Sequence, residues 1–473
     1  MRRTVSALAL SLSVVLAATT ATALPAQAGS ARDARTPAGA GAAYSTKTPY
    51  EPRQNPRTYE PAPDGFVPVF TEIVSRHGSR SATDSDDGDM ILRLWEEARK
   101  EGQLTPLGRE FGPDVRALLD AVRQTGYGKL SGRGKRELRG TALRMVQRLP
   151  QLFTTIVEDG ESVDVVSSGQ GRAVDSGTVF TDALTEADPA LTPHIGRART
   201  DKDLLYFHKS AGGAAYRDWL AHDQRLADTL KKLDDQPATR AAARRVLAKL
   251  FRPAFVRRVA DGEFAALGTD VSAARAVYNL YSTAPAMSDE SPREQGSHAA
   301  SRRDGGWRLD RYLAQRDADR FGYLNDAEEF YEKGPSFAGS DITYRMAEVL
   351  LDDFFQQAEA KRDGTSTLGA ELRFTHAEEI IPLAALMGLP GSTEAAAPGT
   401  PYTYADNPWR GATVAPMATN IQWDMYRKGG TFLVRMLYNE RETPFKAGCR
   451  PVARHSHFYD LRELERCFGR TAG

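Results

Sequence analysis

Two short runs in this chain concentrate groups that can do chemistry. The first is Arg76-His77-Gly78-Ser79-Arg80, which closes an apolar run holding Val67, Val69, Ile73 and Val74. β-Branched residues at this density predict a buried strand. Two guanidiniums and an imidazole at the end of such a strand suit an anion. Arg76 and Arg80 can each offer a planar fork of donors to a phosphoryl group. His77, between them, can attack phosphorus as a neutral imidazole. Gly78 lets the backbone turn sharply and come close to a ligand. The plainer alternative is a strand that ends in solvated basic residues. The second arginine and the apolar strand weigh toward a site.

The second run is His376-Ala377-Glu378, directly after a short strand at Glu371–Thr375 and before a helix at Glu379–Leu389. Taken alone, His376 reads as a satisfied buried histidine and Glu379 as an acid that complements a helix N-terminus. A third stretch has the same form: a strand at Ser162–Ser168, the turn Gly169-Gln170-Gly171, then Arg172 at the head of a helix over Ala173–Ala183. Strand, glycine-rich turn and helix start together deliver a guanidinium to an anion at a strand end.

Arg-His-Gly followed by a further Arg resembles the signature of the histidine acid phosphatases, the two-histidine branch of the histidine phosphatase superfamily. His-Ala-Glu, in place of His-Asp, narrows the resemblance to the multiple inositol polyphosphate phosphatases, which include phytases. The segments RFTHAEEIIPLAALMGL, DRFGYLNDAEEFYEKGPSF, Ile342–Phe355 and Leu433–Phe445 agree with it, and SSGQGRAVDSGTVF resembles the segment carrying a third phosphate-binding arginine. The likeness runs from about Val67 to Phe445 and is weakest in the middle.

The resemblance implies an α/β fold: a phosphoglycerate-mutase-like mixed sheet flanked by helices, with an inserted, mainly α-helical domain. It implies a phosphohistidine on His77, with Arg76, Arg80, Arg172 and His376 gathering the phosphate oxygens. Glu378 then protonates the leaving alkoxide and activates water. It implies no metal and no other cofactor, the arginines supplying the positive charge. The substrate is a small anion, an inositol polyphosphate such as phytate. Alternatives are a broad acid phosphatase for sugar or glycerate phosphates, or a catalytically silent relative that binds polyphosphates. Three departures bear on substrate choice. Ala82 stands where relatives carry Pro. Asp84, Asp86, Asp87 and Asp89 follow where relatives are more basic. Leu204–Ser210 lacks an expected Arg and Cys.

The elements that must position these residues follow from periodicity. Asp89 is placed to cap a helix over Met90–Glu101, behind a polar loop at Thr83–Asp89. Helices are also expected at Pro113–Arg123, Ser131–Phe153 with Pro150 bending or ending it, Tyr216–Leu233, Ala238–Val259, Leu309–Lys333 and Ile342–Ala360. Thr283–Gly306 reads as a polar loop, and Gly430–Asn439 as a strand returning to the sheet. Residues 64–188 and 336–473 are assigned to the α/β catalytic domain, and 189–335 to the inserted helical domain.

With 473 residues, 41% hydrophobic and 26% charged, the chain has the composition of a soluble globular protein large enough for such a core. Its 62 basic and 62 acidic residues balance, so any anion site is local, and nothing suggests a nucleic-acid binder. Arg2, Arg3, the apolar run Ala7–Ala18 and Ala26-Gln27-Ala28 read as a secretory signal over residues 1–28, leaving a mature chain from about Gly29. No later segment reaches transmembrane length. A secreted monomer is expected, with a flexible lead-in over 29–63 and one structural disulfide between Cys449 and Cys467.

Overall fold

The run Val67–Arg76 forms strand β1, and an eight-stranded sheet is built around it. The structure, a computed structural model, describes residues 42–291 and 306–470. The expected signal segment, the start of the lead-in and most of the expected Thr283–Gly306 loop lie outside them. The remaining strands are β2 (Ser162–Ser167), β3 (Arg199–Thr200), β4 (Leu368–Thr375), β5 (Asn420–Lys428), β6 (Thr431–Tyr438), β7 (Arg441–Glu442) and β8 (Phe458–Asp460). Their order is β3-β2-β4-β1-β5-β6-β7, with β8 paired to β6. β3, β2, β4 and β1 run parallel, while β5 and β6 form an antiparallel hairpin on the far side of β1. The sheet is therefore mixed, as expected.

Alternation along the strands divides the apolar side chains between two faces. Ile73, Val165, Leu372 and Phe374 pack against the helices Gly132–Arg148, Pro150–Asp159 and Gly171–Ala187. Phe70, Val74, Ile421 and Trp423 face the opposite way, toward the helices Glu348–Arg362 and Ala377–Leu386. The described residues of 189–335 are mainly helical, and Val246, Val277 and Phe321 among them share the second core. Among the described residues no helix is long and apolar enough to cross a membrane.

Several expected boundaries move for identifiable reasons. The helix expected from Met90 begins at Asp86, so Asp89 is not its cap. Asp86, Asp87 and Asp89 instead lie in its first turn, where negative charge meets the positive end of the helix dipole. The helix expected from Pro113 begins at Pro106, because the Thr105 hydroxyl caps the Gly108 amide at 2.8 Å. Pro150 ends one helix and starts the next. Asp223 caps the Leu226 amide and divides the expected Tyr216–Leu233 helix, and Pro253 divides Ala238–Val259. Cys449 and Cys467 are joined as a disulfide.

The lead-in is not flexible from Ala43 onward. Ala43, Tyr44, Ser45 and Thr46 are buried. Tyr44 stacks on Tyr281 with ring centroids 5.1 Å apart, Ser45 Oγ donates to Asp326, and Tyr50 OH donates to Glu440 at 2.8 Å. Its small residues carry little local preference, but two tyrosines and a buried acid on another element fix them.

Candidate active site

Parallel pairing brings the two motifs together. In the register of β1 against β4, Arg76 lies opposite Thr375, so His77 and His376 follow at adjacent strand ends. Their rings sit 5.4 Å apart, edge to face. The His77 amide donates to the Thr375 carbonyl at 2.9 Å, and the His77 carbonyl accepts from the Ala418 amide at 3.0 Å. The backbone of the nucleophile candidate is thus pinned from both sides. β2 ends at the same edge, and Ser168 beyond it places its Oγ 2.8 Å from His376 Nε2.

The Arg-His-Gly turn has a close steric requirement. A Cβ on Gly78 would come within 2.6 Å of the Gly134 carbonyl oxygen, and one on Gly134 within 2.0 Å of the Ser79 carbonyl oxygen. Two glycines therefore let the turn seat on the start of the helix Gly132–Arg148. Glu137, one helical turn further, accepts from the Ser79 amide at 2.7 Å and the Ser79 hydroxyl at 2.8 Å.

His77 is buried, and its Nδ1 lies 3.0 Å from the Gly78 carbonyl oxygen. A carbonyl only accepts, so Nδ1 carries the proton and Nε2 keeps its lone pair. Burial pushes the pKa of this imidazole well down, and the charges of Arg76, His376, Arg80 and Arg172 push it further. It stays neutral into the acid range. Burial and the Arg172 charge likewise lower His376 to about 3.

The guanidiniums carry unspent donors. Arg76 gives Nη1 to the Thr46 and Ala415 carbonyls, both at 2.6 Å, yet its Nε is buried and unpartnered. The Nε atoms of Arg80 and Arg172 and Nδ1 of His376 are in the same condition. Burial, with Arg172 and Arg76 close by, pulls Arg80 down to about 10. Buried donors without partners around a surplus of positive charge are costly unless an anion satisfies them. The arrangement can therefore cradle an anion. Among the described residues, no group of three or more His, Cys, Asp and Glu side chains is placed to hold a metal ion.

Residues 70–439 match the histidine phosphatase superfamily (branch 2). The chain belongs to that branch. Multiple inositol polyphosphate phosphatase 1 of Gallus gallus is 23% identical over 477 residues, 92% of this chain and 95% of the relative. The multiple inositol polyphosphate phosphatase of Bifidobacterium longum, solved in complex with inositol hexasulfate, is 33% identical with a TM-score of 0.82. That match covers 90% of this chain and 97% of the other. The phytase from D. castellii, at 14% identity and a TM-score of 0.59, shares the fold; the match covers 94% of this chain and 90% of that one.

In this branch-2 histidine phosphatase all six expected site residues converge, and others join them that the sequence did not single out. Lys333 follows the helix Gln315–Glu332 and places Nζ 2.9 Å from Glu329 and 3.7 Å from Glu378 Oε1. Burial would raise the Glu378 carboxyl. Lys333, His376 and His208 outweigh it and hold that carboxyl well below the usual range. Glu379 is more than a dipole acid: fully buried, it lies 2.5 Å from His208 Nδ1 and accepts from the Thr375 hydroxyl at 3.0 Å. Tyr206 packs edge-on between His208 and His376. Lys47, in the lead-in, is pulled down to about 8 by burial and by the Arg80 charge. The DAEEFYEKGPSF likeness held the signal for Lys333; nothing local marked Lys47 or His208.

Proposed function

We propose that this chain is a secreted histidine acid phosphatase that hydrolyses phosphomonoesters of inositol polyphosphates, phytate included. The observation that carries the reading is the His77 imidazole, protonated on Nδ1 toward Gly78 and ringed by unpartnered guanidinium donors. Substrate class is carried over from the inositol polyphosphate phosphatases it resembles at full length. Export is supported by the N-terminal pattern and by the Cys449–Cys467 disulfide. The helical segment 189–335 is proposed as an insertion into the α/β domain that walls the leaving-group side.

In the first step the Nε2 lone pair of His77 attacks phosphorus and the P–O ester bond breaks. Arg76, Arg80, Arg172 and His376 hold the non-bridging oxygens as charge redistributes. The departing alkoxide takes a proton from Glu378. A phosphoryl dianion beside Glu378 offsets the nearby cations and raises that carboxyl, so substrate itself prepares the acid. In the second step the Glu378 carboxylate takes a proton from water as the water oxygen attacks the phosphohistidine. The P–N bond breaks, its electron pair returns to His77, and phosphate leaves. The arginines supply the charge stabilisation, and the proposed cycle needs no metal.

Phosphate release from phytate by the purified protein, in EDTA and beside p-nitrophenyl phosphate, is the test. Release from both is expected, with His77→Ala folded and inactive on each. Wild-type-like turnover by that variant would end the phosphohistidine mechanism. Release from the aryl ester alone would move the substrate to smaller phosphates.

A further inference from the structure

Beside the cradle lies a recess of about 710 Å³, counting its open mouth. It shares Arg80 with the cradle, and its polar wall includes Lys47, Asp84, Asp87, Asn279 and Thr283. Its charges are mixed in an informative way. Lys47 Nζ has one polar neighbour, Ser282 Oγ at 3.3 Å, and no carboxylate partner among the described residues. A half-buried ammonium with no carboxylate in direct contact, whose charge Arg80 opposes and the more distant Asp87 favours, can take one further anionic group. The same lining carries carboxylates. Asp87 accepts from Asn279 Nδ2 at 3.0 Å through one oxygen only. Asp84 accepts from the Thr83 hydroxyl at 3.0 Å and the Asp86 amide at 3.1 Å. Carboxylates accept from hydroxyls and repel phosphates. Both sit at the head of the helix Asp86–Lys100, where its dipole favours negative charge.

We infer that this recess receives the leaving group and selects a ring bearing one phosphate near the reacting ester together with free hydroxyls. Partly dephosphorylated inositol phosphates are then better substrates than the hexakisphosphate. Lys47 takes the neighbouring phosphate; Asp84 and Asp87 take hydroxyls and penalise a phosphate in the same position. The inference rests on the proposed function and names the substrate subclass of that same site.

The test compares kcat/KM for myo-inositol hexakisphosphate and a myo-inositol trisphosphate on each variant, so that the ratio cancels any difference in folded fraction. Asp84→Asn with Asp87→Asn keeps the shape and one acceptor oxygen at each position while removing the charge. It should raise the hexakisphosphate-to-trisphosphate ratio by about tenfold or more, the worth of one charged contact. Lys47→Met should lower the ratio for trisphosphate over inositol monophosphate by a similar factor. Ratios within twofold of wild type in both variants would overturn the inference while leaving the proposed function intact. A wild-type protein that hydrolyses p-nitrophenyl phosphate and no inositol phosphate would overturn both together.

Discussion

Lys333→Met tests Glu378 as the proposed proton donor. Lys333 Nζ stands 3.7 Å from Glu378 Oε1, and it is the strongest of the charges that oppose the burial of that carboxyl. A cation at this range lowers a carboxyl by about one to three pH units. Glu378 keeps 34% of its side chain exposed, so solvent screening favours the lower end of that range. Methionine keeps the stem and removes the charge, so Glu378 holds its proton to higher pH. Glu329, left without its lysine, pushes in the same direction. The alkaline limb of kcat/KM for phytate should move up by about one pH unit. p-Nitrophenolate leaves without a proton, so its limb should stay. Adding Glu329→Gln to Lys333→Met should retain most of the movement. The assay is a pair of pH profiles, phytate and p-nitrophenyl phosphate, on wild type and each variant. A phytate limb that does not move, or two limbs that move together, would refute Glu378 as the donor to the leaving group.

Gly134→Ala should displace the Arg-His-Gly turn, because the new Cβ meets a backbone oxygen at 2.0 Å and nothing flexible can give way. A cost of about 1–3 kcal/mol and at least a tenfold loss of kcat/KM are expected, read by thermal melting and phosphate release; wild-type values in both would contradict the packing. Burial raises the Glu371 carboxyl to about 7 against an ordinary 4.5, with Arg373 opposing. The folded chain therefore holds the extra proton. The stability this group adds is present below pH 4.5 and is lost as pH rises through 7. The melting-temperature advantage of wild type over Glu371→Gln should shrink across that window, and an advantage that grows with pH would reverse the sign.

The cradle was legible because each of its parts is local. Arg-His-Gly and Ser-Gly-Gln-Gly-Arg each follow a β-branched strand and His-Ala-Glu follows the strand LGAELRFT, and parallel pairing brings the three strand ends to one edge of the sheet. His208 and Lys47 were not legible, since only tertiary packing brings them to the cradle, and Lys333 was marked only by the likeness of the segment that carries it. Glu379 misled for the same reason: its place in a first helical turn explains an acid, and its buried contact with His208 cannot be seen from its neighbours in sequence. Helix breaks at Asp223 and Pro253 were visible residues whose capping and stopping roles an unbroken apolar period concealed. The lead-in misled by composition, because small residues carry no preference of their own and take whatever form a groove imposes.

The sheet order fixes when the enzyme can first exist. β4 lies between β1 and β2, yet it is made some 200 residues after β2 and about 300 after β1. The two earlier strands cannot pair with each other to close the gap; they wait for a central strand supplied late in synthesis. At roughly 5–20 residues per second, a ribosome takes about 15–60 s to travel from His77 to His376. Throughout that interval His77 has neither His376 nor Glu378 beside it. Until β4 lies between β1 and β2 the proposed site is not assembled, so an unfinished or unfolded chain does not present it.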